Sequence, residues 1–313
     1  MIFINRTEIN PYFNIAAEEF ALKHFDEDVL MLWRSSPSVV VGKHQNLIAE
    51  VNLGYTHKHN IPVIRRISGG GTVYHDLGNL NYTYIRTETN RERLINFKQF
   101  STPVIGFLKT LGVEAAFEGK NNLVINGKKF SGNSAHVFKN RVIHHGTLLF
   151  NTNLNELEKV IRPVKASIKD KAVKSVRATV TNIKEHVSGL TYDVFRKKLT
   201  EFLTDYYNID QVIKFSNQDV LTIKALIEDK YSTAEWNYSY SPSYEFENRF
   251  EGNYLKIIVK KGLIESIEME GSLRSFASSL NGVMHRYDVI AAIAERFAVD
   301  NTQKQILLHL FGF

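Results

Sequence analysis

The 313-residue chain contains no cysteine. Disulfides, cysteine-ligated zinc and any mechanism through a thiol nucleophile are therefore excluded. It also has no run of about 18 apolar residues, and Met1-Ile2-Phe3-Ile4-Asn5-Arg6 lacks the layout of an export signal, so a soluble, cytoplasmic protein with no membrane role is expected. Neither G-x-G-x-x-G nor the G-K-[ST] of a P-loop occurs in the glycine-rich stretch, which removes the two commonest nucleotide folds. No internal repeat or low-complexity tract interrupts the chain. Its length suits two domains, and 43 % hydrophobic residues permit a sizeable core.

What is present is positive charge in one place. The formal net charge is +6 with pI near 9.2. Between Lys159 and Arg177 stand Lys159, Arg162, Lys165, Lys169, Lys171, Lys174 and Arg177 against Asp170 alone, a local excess equal to that of the whole chain. The segment has no interleaved aromatics, so it reads as a local anion clamp or a docking patch rather than a nucleic-acid stripe. Pro163 and the charge density suggest a mobile loop, with a solvated helix as the plain alternative.

The second signal is Arg65-Arg66-Ile67-Ser68-Gly69-Gly70-Gly71-Thr72 after the β-like run Ile61-Pro62-Val63-Ile64. Consecutive glycines in positive φ turn backbone N–H groups toward one ligand, and two guanidinium forks add fixed charge. The run is either an anion-binding turn or a flexible hairpin loop.

Periodicity places the rest. Ile15–Lys23 is a helix after Asn10-Pro11, its charged residues read as a solvated face. Val29–Arg34 and Ser38–Gly42 flank Ser35-Ser36-Pro37 as a hairpin, which puts Trp33 near a strand end. Gly42-Lys43-His44-Gln45-Asn46 is a polar turn, 51–59 and 93–111 are helical with Pro103 a kink or a break, and Asn79–Arg86 is a strand. Asn126-Gly127 marks a hairpin, followed by a turn at Lys139-Asn140 and a strand through His144-His145. Alternation sets Lys129, Ser131 and Asn133 on one face, and His145 and Thr147 on one face of the next strand. Lys129 either reaches solvent at a strand end or meets a bound anion; Ser131-Gly132-Asn133 beside it favours the anion. Helices over 191–207 and 217–230 close the first unit, 237–243 reads as a linker, and a hairpin about Lys260-Lys261-Gly262 with helices makes a small α+β unit.

Taken in order, Arg66–Asn79, Gly119-Lys120-Asn121-Asn122, Lys129-Phe130-Ser131-Gly132, His144–Leu149, and Ser175-Val176-Arg177 with Thr181-Asn182 resemble the motif set of the lipoate-protein ligase A family over essentially the whole chain. The resemblance implies an α+β fold: a mixed-sheet catalytic domain of biotin/lipoate ligase type with flanking helices, over 1–242, and a small α+β accessory domain over 243–313. It further implies ATP-dependent conversion of lipoate to lipoyl-adenylate and pyrophosphate, then transfer to a lysine of acidic carrier domains, namely the lipoyl domains of 2-oxoacid dehydrogenases and the glycine-cleavage carrier. ATP, Mg²⁺ and lipoate are the implied ligands, with no nucleic-acid partner. By motif, Arg66, Gly71, Thr72, Val73, Tyr74, Asn79, Asn121, Lys129, Arg177 and Asn182 would contact ATP or AMP. Trp33, Ser68, Gly69, Gly70, Gly71, His75, Lys129 and His145 would contact lipoate. Lys129 would be catalytic, between carboxylate and α-phosphate. Asn122 stands where the family usually has aspartate, so no metal ligand is assigned; Lys120 replaces an arginine and its bidentate fork. On the same fold, octanoyl transferases and lipoyl amidotransferases need the missing cysteine, and biotin ligases carry a different glycine motif. A transferase using preformed lipoyl-adenylate and a non-catalytic lipoyl-domain binder are the remaining alternatives.

Overall fold

The structure, a computed structural model, describes residues 1–89, 94–161, 163, 165–297 and 300–313. The expected helix start at Arg93 and Arg162 of the basic segment lie outside the described residues.

The first part of the chain runs β1 (Ile2–Asn5), α1 (Pro11–His24), β2 (Val29–Trp33), β3 (Ser38–Val41), α2 (Leu47–Glu50), α3 (Leu53–Lys58), β4 (Val63–Arg65), β5 (Val73–His75) and β6 (Asn79–Thr87). Then come α4 (Phe97–Thr110), β7 (Ala115–Glu118), β8 (Asn122–Ile125), β9 (Lys128–Phe138), β10 (Arg141–Leu149), α5 (Leu154–Val160) and β11 (Ser167–Asp170). The remainder is α6 (Tyr192–Tyr206), β12 (Val212–Ile213), α7 (Asn217–Leu226), β13 (Tyr244–Phe250), β14 (Asn253–Lys260), β15 (Leu263–Glu270), α8 (Ala277–Leu280), α9 (Tyr287–Arg296) and α10 (Asn301–Leu310).

Short polar side chains start many of the helices. Asn10, Asn52, Asn96 and Asn153 accept from backbone N–H groups of the first turns of α1, α3, α4 and α5, as Thr191, Ser216 and Asp300 do for α6, α7 and α10. Pro103 sits inside an unbroken α4.

The main sheet is mixed, in the order β12-β1-β2-β6-β10-β9-β8-β7, and beside it lie a three-stranded sheet β4-β3-β5 and a four-stranded sheet β11-β13-β14-β15. The hairpin expected across Ser35-Ser36-Pro37 does not form. β2 pairs with β1 and β6 of the main sheet, whereas β3 pairs with β4 and β5. Both strands are buried throughout, so each finds partners on its own sheet, and the connection is held as a corner by Asn14, whose amide donates to Arg34 O and Ser35 Oγ. The Asn126-Gly127 turn is present, with φ of 50° and 71° as a two-residue hairpin demands.

The stretch over 237–243 is no extended linker: Glu235–Ser239 forms a helical turn, and Asn237 and Ser241 are buried against Arg65. β11, from within the basic segment, pairs with β13. One apolar core runs from Val39, Val41 and Leu47 into Tyr244, Phe246, Leu255 and Phe311, so the three-stranded and four-stranded sheets share it.

Candidate functional site

A cavity of about 470 Å³ lies over the main sheet. Its lining comes from β2 (Trp33), β6 (Asn81), β10 (His145, Gly146, Thr147), β9 (Lys129, Gly132, Asn133, Ser134) and β8 with the turn before it (Lys120, Asn121, Asn122). These strands are neighbours in that order, so the cavity crosses five of them, about 19 Å at about 4.8 Å per step. At the β2 end the wall is Ile15, Trp33, Val40 and Val73; at the other stand Lys120, Asn121 and Lys129. The cavity is thus an amphipathic trough, apolar at one end and cationic at the other.

Only Gly70 of the three glycines takes a left-handed φ, 82°, so the run does not present consecutive N–H groups as a cradle. It wraps Arg66 instead. The buried guanidinium donates to Gly69 O at 2.5 Å, Gly71 O at 2.7 Å, Val40 O at 3.1 Å and Ser68 Oγ at 2.9 Å. Burial lowers its pKa to about 10, with Glu18 opposing and Arg65 reinforcing, and at neutral pH it remains a cation on the cavity wall. Gly42 faces the run so closely that a Cβ there would meet Gly70 O at 2.1 Å.

Arg65, expected to serve the same anion, does not line the cavity. It is 0 % exposed, and its guanidinium donates to the carbonyls of Gly42, Lys43, Gln45, Trp236 and Asn237 and to Ser241 Oγ, at 2.8–3.2 Å. A side chain so committed ties the glycine-flanking turn to residues 236–241 and has no donor to spare for a ligand.

The alternation expected for Lys129, Ser131 and Asn133 is broken by a bulge: Leu123 pairs with Ser131 and Val124 with Lys129, leaving Phe130 unpaired in the core. Lys129 and Asn133 line the cavity; Ser131 does not. Glycine at 132 makes room for the lysine, since a Cβ there would sit 3.0 Å from its Nζ. Burial, and then the charge of Arg66, holds the Lys129 pKa below the ordinary lysine value. Its backbone joins the basic segment through Lys129 N to Thr179 O, 2.8 Å, and Thr181 N to Lys129 O, 3.0 Å.

From Ser167 onward that segment is neither a helix nor a free loop. It forms β11, then runs extended past the cavity, where Val173, Lys174, Ser175, Val176 and Ala178 line the wall. Lys169 points away to Glu245 at 2.9 Å. Neighbouring backbone groups fix the strap at several points, including Val173 N to His44 O, and Thr72 N to Ser175 Oγ.

A buried polar chain crosses the trough. Arg66 Nε donates to Ser68 Oγ; Ser68 meets His145 Nε2 at 2.6 Å; His145 Nδ1 meets Glu18 Oε2 at 2.8 Å; Thr83 Oγ1 donates to Glu18 Oε1 at 2.5 Å and accepts from Trp33 Nε1 at 2.9 Å. His145 Nδ1 carries a proton toward the Glu18 carboxylate, and Nε2 shares a hydrogen with Ser68 Oγ, which also accepts from Arg66. Burial acts to raise Glu18, and His145, Thr83 and Arg6 outweigh it, so its pKa falls below the carboxylate norm. Sequence reading put the charges of α1 on a solvated face. Glu18 and Glu19 are in fact 2 % and 3 % exposed, Glu19 being held by Lys23, Lys230 and Tyr231. Burial drives His75, in T-shaped contact with Trp33, down to about 3, so its imidazole is neutral.

Of the residues singled out from sequence, Trp33, Arg66, Gly70, Gly71, Thr72, Val73, His75, Asn121, Lys129 and His145 line the cavity, and so does Asn122. Ser68 stands behind His145, and Gly69 reaches the cavity region only through its carbonyl contacts with Arg66 and Ser134. Tyr74 packs in the core, Asn79 bonds Asn81, and Asn182 caps Ile183–His186 while bonding both backbone groups of Thr152. Arg177 is exposed on the strap. Sequence reading missed Glu18, Asn81 and Ser134. The paired carboxylates Glu18-Glu19 amid the apolar run Ile15–Leu22 were the available signal for Glu18; Asn81 lay in the clean alternation of β6.

Residues 10–204 match the model of the lipoyl protein ligase A/B catalytic domain family. The chain is 37 % identical to lipoate–protein ligase 1 of Staphylococcus aureus over all of this chain and 96 % of that one. Among solved structures it resembles a Thermoplasma acidophilum putative lipoate protein ligase with bound lipoic acid: TM-score 0.65, 26 % identity, 75 % of this chain and 98 % of that one. It also resembles a lipoate-protein ligase A bound with ATP: TM-score 0.65, 26 % identity, 76 % and 98 % covered.

Proposed function

The chain belongs to the lipoyl protein ligase A/B family, and from that membership we propose the residue assignment of an ATP-dependent lipoate-protein ligase. The enzyme activates lipoate to lipoyl-AMP, releasing pyrophosphate, and passes the lipoyl group to a lysine of a carrier protein. The observation that carries the assignment is the trough, whose apolar end at Trp33 and cationic end at Lys129 match an acyl chain joined to an adenylate.

The acyl chain lies along Ile15, Trp33, Val40 and His75, whose neutral imidazole adds no charge to an apolar tail. Lys129 stands at the junction of carboxylate and α-phosphate. As the carboxylate oxygen attacks the α-phosphorus, charge accumulates where two anions meet, and a lysine already half out of water offsets that charge without solvent reorganisation. Arg66 supports the same junction while shaping Gly69–Gly71, and Asn121 and Thr72 supply neutral polar contacts. Arg177 serves the nucleotide from the strap; Asn79, Tyr74 and Asn182 act as framework for it.

Among the described residues Glu18 is the only carboxylate in the cavity lining, and both its oxygens are committed. The residues therefore do not form a carboxylate site for Mg²⁺, which would enter on the triphosphate. Residues 1–242 form the catalytic unit and 243–313 the accessory one. The acceptors are acidic lipoyl domains, met by the lysine-rich strap in the cytoplasm. Lipoate-dependent exchange of labelled pyrophosphate into ATP tests the reading. Exchange is expected; transfer only from supplied lipoyl-adenylate would replace it with the transferase reading, and neither activity would leave a binding protein.

A further inference from the structure

The turn Gly42-Lys43-His44-Gln45-Asn46 contributes no residue to the cavity lining, yet it binds both structures that close the nucleotide side. Arg65 fixes its backbone through the carbonyls of Gly42, Lys43 and Gln45. From this base Asn46 Nδ2 donates to Asp170 Oδ2 at 2.9 Å, and His44 O accepts from Val173 N at 3.1 Å. Gln45, 0 % exposed, does more. Its Oε1 accepts from Gly42 N at 2.9 Å and from Thr72 Oγ1 at 3.0 Å, and its Nε2 donates to Ser175 Oγ at 3.0 Å. The Gly42 N–H fixes which end of the amide is oxygen. Ser175 Oγ also accepts from Thr72 N at 3.0 Å, so Thr72, Gln45 and Ser175 form a closed ring joining the glycine run to the strap.

Two N–H donors on one hydroxyl oxygen occupy its lone pairs and leave its proton as the free donor. Ser175 lines the cavity. We propose that Gln45 is a positioning residue for the nucleotide: its amide clasps the strap to the glycine run and sets the Ser175 hydroxyl as a hydrogen-bond donor to the phosphates.

The reading of the substrate as ATP underlies the second half of this proposal; the clasp itself stands without it. Gln45→Glu keeps the bonds from Gly42 and Thr72, but its second carboxylate oxygen accepts from Ser175, which withdraws that proton from the cavity. ATP KM should rise about tenfold or more, as for loss of a hydrogen bond to a charged group, while lipoate KM holds. Ser175→Ala should do the same, and the double variant should be no worse than either single one. Unchanged ATP KM, or an equal loss for lipoate, would overturn the positioning role. Without any ligand, and well below the variant's own melting temperature, Gln45→Ala should speed tryptic cleavage after Lys174 and Arg177 several-fold. Unchanged cleavage overturns the clasp whatever the enzyme does with ATP. A wild-type protein with no lipoate-dependent exchange would instead sink the ligase reading and leave the proteolysis to decide the clasp.

Discussion

Lys129 is a lysine that a sequence marks only by its neighbours, and its setting explains why those neighbours matter. Gly132 leaves space for the ammonium, and the bulge at Phe130 keeps that aromatic ring in the core while Lys129 lines the cavity. Lys129→Met should lower the rate of adenylation about 10²–10³-fold, the scale of losing one preorganised donor at a developing anion; single-turnover formation of lipoyl-AMP measures it, and near-normal rates would remove the role. Glu18→Gln tests the buried chain differently. Thr83 and His145 both donate to Glu18, so an amide turns one N–H against a donor and should destabilise the fold by about 1–3 kcal/mol, read from urea unfolding. These two residues also mark what the sequence disclosed. Lys129 sits in a motif whose glycine and serine hint at a crowded cation, whereas Glu18 lies on a helix that is buried on every side, where periodicity carries no facing information.

At the scale of elements, the long strands of the main sheet were legible, whereas short strands such as β11 and the partners of β2 and β3 were not. Alternation and the Asn126-Gly127 turn located β6, β8, β9 and β10. The corner at Ser35-Ser36-Pro37 looked like a hairpin because two fully buried strands around a short turn have the same local pattern whether they pair with each other or with different sheets. The basic segment shows the same limit, since charge density reports solvent contact and says nothing of backbone partners. Its lysines divide by position: Lys174 faces the cavity, and Lys169 pairs with Glu245. Lys174→Ala should raise ATP KM several-fold while Lys169→Ala leaves it within about twofold, because an exposed ion pair contributes little. Steady-state kinetics on the two variants separates a clamp from a docking patch. If both instead weaken only carrier transfer, and less so at high salt, where screening removes the same attraction from the wild type, the segment docks the acceptor.

For the molecule as a whole, acid is the weak side. Burial pushes His144 and His285 down to about 4, alongside His75, and these three resist protonation when folded. The unfolded chain, with histidines near 6.5, then binds more protons below that pH, so stability is full above about 6.5 and falls as pH drops toward 4. Each fully buried histidine contributes on the order of 3 kcal/mol to that loss. Glu18 and Glu19, held below the carboxylate norm by their partners, extend the loss to lower pH. Urea midpoints at pH 8, 7, 6 and 5 should be level between the first two and then decline; a flat profile to pH 5 would contradict it.

The strap has two anchored ends. Asp170 closes β11 on the small sheet, and Val180 bridges Lys129 on the main one, ten residues along. Fully drawn out, such a length reaches about 35 Å. It is therefore a leash of fixed length between the two sheets, with part of the cavity wall woven into it. Any excursion of the four-stranded sheet tugs first on the residues that line the cavity, and Lys129, pinned at the far end, makes the leash a mechanical gauge of where that sheet lies.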